Sequence, residues 1–185
     1  AQFSFAHLLY DITDGKFKSA RSEKAISMAD GEHFTTKVND NSIVKYNYKT
    51  GNTVDTLFSI YQIKNCPIKN ISGYVFSPNE LKILVYTNIN FRYRRTFTAD
   101  YYVYDIKRKE LQPLSENGAQ EVPLFSPDSR YIAFARNNNL YMKKLDFNTE
   151  IAITKDGETG KIINGTPDWV YEEEFSFSQG YQWSN

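Results

Sequence analysis

The feature that most constrains the fold of this chain is an internal repeat with a spacing of 49 residues. The segments Phe76–Asn79 and Phe125–Asp128 both read Phe-Ser-Pro followed by Asn or Asp, and each precedes an apolar run. A degraded copy places Asp30 49 positions before Asn79, which lies 49 positions before Asp128. A period of this length, with several short strands in each unit, is typical of β-propeller blades. The sequence therefore predicts an all-β protein.

Short strands joined by tight turns explain the pattern within each unit. Residues 42–48 are interpreted as a strand that ends in the turn Lys49-Thr50-Gly51, and residues 139–145 as a strand that ends in Asp146-Phe147-Asn148. In the repeated turn, Pro fixes φ and Asp or Asn bonds back to the backbone. The order of turns and strands predicts four strands per blade.

The amino-acid composition favours β-strands and argues against nucleic acid as a partner and against a membrane-spanning segment. Tyr and Phe number 14 and 13 against only 2 Met, a balance suited to pleated, half-buried surfaces. Twenty-two basic residues balance 22 acidic ones, so no basic field for nucleic acid exists. No apolar run approaches the roughly 18 residues that cross a bilayer.

The repeat also predicts the domain organisation. We expect an unassigned N-terminal segment over 1–23 and a partial propeller over 24–185. Its units lie near 24–65, 66–115 and 116–178, followed by a stub at 179–185. Phe125 to Trp183 spans 58 positions, which indicates an insertion of 9 residues at about 158–178. Three units and a stub cannot close a ring, so we expect the chain to be part of a longer protein.

The insertion carries a run of three carboxylates, Glu172-Glu173-Glu174, among aromatic residues that include Trp169 and Tyr171. Thr166-Pro167-Asp168 is a good helix start, so the sequence predicts a short helical insertion. Successive helical residues differ by about 100° in direction, so Glu173 and Glu174 could flank one cation. A solvated acidic helix start is the alternative interpretation.

The segment Asp168-Trp169-Val170-Tyr171-Glu172-Glu173-Glu174-Phe175 resembles the acidic motif of the dipeptidyl peptidase IV family. These prolyl oligopeptidase-type serine exopeptidases join an N-terminal propeller to a C-terminal α/β-hydrolase domain. The resemblance implies that Glu173 and Glu174 bind the N-terminal ammonium of a peptide, supported by Glu172, Tyr171 and Trp169. It also implies a bacterial source for this chain.

A second segment, residues 90–105, resembles the family's strand pair whose arginine reaches the substrate carbonyl, and Arg94 matches that arginine. Strand alternation predicts that Phe91, Tyr93, Phe97, Ala99 and Tyr101 share one face, with Arg94 on the polar face. The alternative is an ordinary exposed strand arginine.

Other residues add no chemistry of their own. The Gly-x-Ser-x-Gly pattern of a hydrolase nucleophile is absent, so we expect that these 185 residues contain neither a catalytic residue nor the C-terminal hydrolase domain of the full-length protein. With one cysteine and two distant histidines, His7 and His33, we expect neither a metal site nor a cofactor. Cys66 is interpreted as a small buried hydrophobe. The segment near Gln179-Gly180-Tyr181 departs from the Arg-Ala-Phe common in bacterial relatives.

The resulting functional prediction is the substrate-recognition propeller of a serine peptidase that releases N-terminal X-Pro or X-Ala dipeptides. The resemblance implies peptide substrates with a free N-terminus, a hydrolase domain as partner and a homodimer in the full-length protein. An N-terminus without Met favours a periplasmic, extracellular or membrane-associated location. A non-catalytic propeller that binds peptides or glycans is the main alternative. A WD-type scaffold is disfavoured because no Trp-Asp dipeptide closes the blades.

Overall fold

The computed structural model describes residues 24–91 and 97–156, and within these residues the chain forms twelve β-strands, one turn of 3-10 helix at Ile60–Gln62 and no α-helix. The strands are β1 (Ile26–Ser27), β2 (His33–Val38), β3 (Ser42–Asn47), β4 (Thr53–Ser59), β5 (Gly73–Phe76), β6 (Lys82–Phe91), β7 (Phe97–Asp105), β8 (Glu110–Pro113), β9 (Gln120–Phe125), β10 (Tyr131–Arg136), β11 (Asn139–Lys144) and β12 (Thr149–Ala152).

The chain divides between Ser59 and Ile60 into two compact units. In the first unit, β1 to β4 form one antiparallel sheet in sequence order. Ile43 and Phe58 are paired across β3 and β4, and both are fully buried. This unit is therefore a single four-stranded antiparallel meander.

The second unit contains two further groups of four strands, β5–β8 and β9–β12. Each group is antiparallel in sequence order. The start of β9 joins the two groups, because Gln120 and Glu121 pair with Ala99 and Thr98 of β7. The long strand β7 thus pairs with β9 through its first residues and with β8 through its last.

The repeated Phe-Ser-Pro turn is built the same way before β6 and before β10. Ser126 Oγ donates to Asp128 Oδ1 at 2.6 Å and accepts from the Tyr131 N–H at 3.0 Å. Asp128 Oδ1 also accepts from the Arg130 N–H, and Ser129 adopts a positive φ of 62°. The hydroxyl and the carboxylate together satisfy backbone donors that the reversal leaves without a strand partner.

Ser77 repeats these contacts 49 residues earlier. Its Oγ donates to Asn79 Oδ1 at 2.7 Å and accepts from the Lys82 N–H at 3.0 Å, and Glu80 adopts a φ of 58°. The two turns also touch, since the Asn79 N–H donates to Ser129 Oγ at 3.1 Å. This bond ties the second group of four strands to the third.

The first copy of the repeated turn has the same backbone hydrogen bonds, although its side chains differ. Met28 replaces the serine, and the Asp30 carboxylate accepts directly from the N–H groups of Glu32 and His33. His33 Nδ1 contacts Asp30 Oδ2 at 2.6 Å, and this hydrogen bond is the main cause that lowers the Asp30 pKa to about 2. His33 is thus part of the hydrogen-bond network of this turn.

One apolar core serves both four-stranded groups of the second unit. Phe134 and Ile132 of β10 are fully buried, as are Ala99 of β7 and Leu114 after β8. The cluster is completed by Leu84, Tyr101 and Phe125, with Tyr86, Ile89, Phe97, Val103, Tyr141 and Leu145 packed around it. Burial of this surface supplies most of the stabilisation that a small sheet assembly needs.

These observations confirm the all-β prediction and the four-stranded groups of a partial propeller. The unit boundaries near residues 65 and 115 and the stub at 179–185 stay predictions, and the helical insertion at about 158–178 lies outside the described residues. Cys66 is half-buried, so its burial was overestimated. The residues between Pro113 and Gln120, and between Ser59 and Gly73, form the longer connections of the described chain.

Candidate functional site

All of the site residues that the sequence predicts lie outside the described part of the chain. Glu172, Glu173 and Glu174, with Trp169 and Tyr171, belong to residues 157–185, and Arg94 belongs to residues 92–96. Their placement therefore stays a prediction. The described residues nevertheless define the end of the β6–β7 hairpin from which the segment containing Arg94 departs.

This hairpin is long and is bent near its end. Phe91 and Phe97, the residues that flank the 92–96 connection, are Cα partners. The pairing register shifts by one residue between Thr87 and Asn90, where Asn88 adopts a positive φ of 53°. Asn88 Nδ2 also donates to Asp100 Oδ2 at 2.7 Å across the hairpin. A bulge of this kind redirects the strand end and recurs beside functional sites.

Strand alternation holds where β7 is described. Ala99 and Tyr101 are buried in the core, and Phe97 packs against it. Thr98, on the opposite face, lines a cavity instead. Phe91 keeps contact with Phe97 through ring centroids 6.0 Å apart, yet it is 68 % exposed.

The cavity opens beside the hairpin end and has a volume of about 390 Å³. Small-molecule and peptide side-chain sites are commonly concave pockets of this size. Three strand segments and one turn line it, with the residues Asn90, Phe91, Thr98, Ala119, Glu121, Asn137 and Asn138.

Glu121 supplies the one ionisable group among these lining residues. It lies on β9, paired with Thr98 of β7 on one side and with Ala135 of β10 on the other, and it is 6 % exposed. Its neighbour Gln120 is 1 % exposed and accepts from the Tyr101 N–H at 3.3 Å through Oε1, while its Nε2 donates to the Gly118 carbonyl. These bonds hold the backbone that carries Glu121.

A two-residue turn between β10 and β11 forms another wall. Asn137 and Asn138 have positive φ values of 49° and 61°, the conformation of a tight hairpin turn that Asn tolerates well. Arg136 and Asn139, which flank the turn, are Cα partners. The Asn139 Oδ1 accepts from Thr154 Oγ1 at 3.1 Å, which fastens the turn to the chain after β12.

A partly buried ion pair involves Arg136, the residue before this turn. Arg136 Nη2 contacts Glu150 Oε1 at 2.7 Å, and the guanidinium lies 4.0 Å from the centroid of the Tyr141 ring. Arg136 also donates to Ser115 Oγ. Burial by itself would raise the pKa of Glu150, but the hydrogen bonds from Arg136 and Ser115 outweigh it and the pKa is lowered.

The residues that line the cavity include a carboxyl group, amides and a hydroxyl, which are hydrogen-bonding groups. Sequence reasoning missed Glu121, Asn137 and Asn138. Asn137-Asn138 carried only a turn signal, and Glu121 carried the weak signal of a charged residue inside an otherwise strand-like run. Among the described residues, no group of acidic, His and Cys side chains could hold a metal ion, and no helix is long and apolar enough to span a membrane.

With this geometry in hand, the chain can be assigned to a class. The sequence profile described as "Dipeptidyl peptidase IV (DPP IV) N-terminal region" matches residues 77–185, well over half of the chain. The chain therefore belongs to the dipeptidyl peptidase IV family, within its N-terminal region, and the family predicted from the acidic motif is confirmed.

Individual relatives agree. The crystal structure of Porphyromonas gingivalis dipeptidyl peptidase 4 is similar over 92 % of this chain and 25 % of its own, with a TM-score of 0.81 and 43 % identity. Probable dipeptidyl-aminopeptidase B of Emericella nidulans is 40 % identical over 110 residues, covering 58 % of this chain and 12 % of that protein. The corresponding protein of Talaromyces stipitatus is 42 % identical over 114 residues, covering 59 % and 12 %. The chain thus spans about an eighth of the length of these fungal relatives and a quarter of the bacterial one.

Proposed function

We propose that this chain is the substrate-recognition part of a serine peptidase that releases N-terminal X-Pro or X-Ala dipeptides. The observation that carries the proposal is the match of residues 77–185 to the family's N-terminal region, because that span includes both Arg94 and the Glu172–Glu174 run. The relatives named above as dipeptidyl peptidase or dipeptidyl-aminopeptidase support the reaction class.

In this proposal Glu173 and Glu174 bind the protonated α-amine of the substrate. Two carboxylates around one ammonium give charge-assisted hydrogen bonds, which are stronger than neutral ones. A peptide with an acylated N-terminus would lose the charge and leave both carboxylates without their cation. Glu172, Tyr171 and Trp169 would hold the two glutamates in place.

Arg94 donates to the substrate carbonyl. A planar guanidinium presents several donors in a fixed arrangement, which Lys does not. The location of Arg94 supports this role, since it lies three residues from both Phe91 and Phe97 in sequence, and Phe91 lines the described cavity. Amine and carbonyl contacts together would place the bond after the second residue at the catalytic serine.

The remaining parts follow from the same proposal. A C-terminal α/β-hydrolase domain would supply the serine, residues 24–185 would form part of the propeller, and the whole protein would be a homodimer. Recognition of free peptides is in keeping with a periplasmic, extracellular or membrane-associated enzyme. Propellers present such recognition residues on the connections between rigid strands.

The test is to replace Glu173 and Glu174 singly by Gln in the whole protein. Each change should lower kcat/KM for Ala-Pro and Gly-Pro anilides by roughly 10- to 100-fold, the loss expected for a hydrogen bond to a charged group. Glu172→Gln, the adjacent matched control, should have a smaller effect. Near-normal kinetics in both of the first two variants would contradict the assignment.

A protein that binds peptide but releases no dipeptide would instead fit a non-catalytic propeller. Calorimetric binding of Ala-Pro peptides with free and acetylated N-termini distinguishes this case, because recognition of the amine would persist without turnover.

A further inference from the structure

We propose that one face of the third group of strands, β9–β12, is an interaction surface that binds a fourth four-stranded group of the same chain. This outer face points away from the core that β9–β12 share with the second group, β5–β8. The surface follows from the strand register and the repeat, so it is independent of the proposed peptidase activity.

Strand pairing defines the outer face. Tyr141 of β11 packs against the shared core, so its neighbours Leu140 and Met142 lie on the outer face. Met142 is the Cα partner of Ile151 in β12. The Ile153 N–H donates to the Leu140 carbonyl at 2.9 Å, so Ile153 continues the same face. Ile151 and Ile153 are 44 % and 51 % exposed, and adjacent exposed apolar side chains of this kind indicate an interaction surface.

The second group shows how such a face is covered. The Leu114 N–H donates to the Tyr101 carbonyl at 2.8 Å, so Leu114 stands in the second group where Ile153 stands in the third. Leu114 is fully buried, because it belongs to the core that Phe134 of the third group completes. Ile153 would be buried equally by another group of four strands packed on the outer face.

The outer face carries smaller side chains than its counterpart in the second group. Ala133 and Ala135 of β10 lie on it, each paired with a residue of β11 on the same face. The 49-residue repeat aligns these two alanines with Leu84 and Tyr86, which pack in the shared core. Packed interfaces fill space as closely as protein interiors do. The occupant of the outer face must therefore bring larger side chains than those that face Leu84 and Tyr86.

The repeat supplies an occupant of this kind. The fourth copy begins in residues 179–185, where Trp183 is the counterpart of Phe125. Phe125 is a member of the shared core, and an indole is larger than a phenyl ring. Trp183 lies outside the described residues, so its contact with the outer face belongs to the proposal. The bacterial relative is about four times as long as this chain, which leaves room for the rest of a fourth group.

The test measures how fast a single thiol on the outer face reacts with 5,5′-dithiobis(2-nitrobenzoic acid) in the whole protein. Ile153→Cys and the matched control Phe147→Cys are each made in a Cys66→Ser background, and the rate of that background is subtracted. Phe147 is 70 % exposed and lies in the turn between β11 and β12, off the outer face. Cys is a small apolar residue, so both variants should fold.

The proposal predicts that Ile153→Cys reacts at least roughly tenfold more slowly than Phe147→Cys, because a packed thiol reacts only when the structure opens locally. Ile151→Cys provides a second position on the outer face and should be protected as well. Protection of both thiols should not change when the protein is diluted, because the covering group belongs to the same chain.

Two results would overturn the proposal. Reaction of Ile153→Cys and Ile151→Cys as fast as Phe147→Cys would show that nothing packs on the outer face. Protection that disappears on dilution would show that a second copy of the protein, and not a fourth group, covers it. Absence of dipeptide release would contradict the proposed function alone and would leave the protection of these thiols unchanged.

Discussion

The two hairpins that flank the cavity begin from nearly identical turns and end differently. Before β6 and before β10, Ser77 and Ser126 make the same pair of hydrogen bonds. At the far end, β10 and β11 of six residues each meet in the two-residue Asn137-Asn138 turn. By contrast, β6 and β7 extend to ten and nine residues, with a bulge, before the 92–96 connection.

This difference indicates which end of each four-stranded group can carry functional residues. One end of each four-stranded group is fixed by a local turn whose bonds repeat with the 49-residue period. The other end is free to lengthen, because a hairpin extended beyond the shared core disturbs no packing. The long hairpin reaches the cavity at Phe91, the last described residue before the 92–96 connection, and the short one supplies a wall.

The largest effect is expected from the core that both hairpins share. Phe134→Ala should lower the free energy of unfolding by about 3–5 kcal/mol, since it removes a fully buried ring beneath both hairpins. Urea denaturation measures the change. Phe147→Ala is the matched control: that ring is 70 % exposed, so its loss should change stability by less than about 1 kcal/mol. Equal losses of unfolding free energy in the two variants would show that this core does not stabilise the two hairpins.

Making the long hairpin resemble the short one tests their functional difference. Replacement of residues 92–96 by Asn-Gly joins the paired residues Phe91 and Phe97 through a two-residue turn of the kind that hairpins favour. We expect kcat/KM of the whole protein for dipeptide anilides to fall about 100-fold, because Arg94 is removed. Far-UV circular dichroism should be unchanged. Retained activity would contradict a role for this connection.

The ion pair between Arg136 of the short hairpin and Glu150 of β12 predicts a pH dependence of stability. The pKa of Glu150 is below its ordinary value of 4.5, so its protonated form is disfavoured in the folded state. The stabilisation is present at neutral pH and is lost as the pH falls below about 4.5 through the lowered pKa. Stability curves between pH 6 and pH 3 should therefore fall more steeply for the wild type than for Glu150→Gln. Parallel curves would contradict the ion pair with Arg136.

The smallest effect on stability is expected from the Phe-Ser-Pro turns, which precede both hairpins. Ser77→Ala and Ser126→Ala should each cost about 1 kcal/mol, because each removes one donor and one acceptor from the turn. The proteins should still fold, since the Met28 copy makes the same turn without a hydroxyl. Thermal unfolding of the two variants and the double variant measures this cost. A loss several times larger would show that the turns specify the fold.

Much of the scaffold could be predicted from sequence because its causes are local. Pro, Asp and Asn in the repeated turn act on their own backbone, and alternation within β7 separated Ala99 and Tyr101 from Thr98. The cavity could not be predicted, since it depends on three segments distant in sequence that meet at Phe91, Glu121 and Asn137. The bulge at Asn88 was missed for the same reason, because register is a property of two strands together.

The family motifs could be read from sequence for a different reason. The run of residues 168–175 has a specific order that resemblance detects without any geometry, and the profile match over 77–185 confirmed the family.

The most direct test of the central claim is to analyse, by mass spectrometry, the products that the whole protein forms from an Ala-Pro-initiated peptide and from its N-acetylated form. The account predicts stepwise release of the Ala-Pro dipeptide from the free peptide and no cleavage of the acetylated one. Equal cleavage of both peptides, or cleavage at internal bonds, would contradict recognition of the N-terminal ammonium.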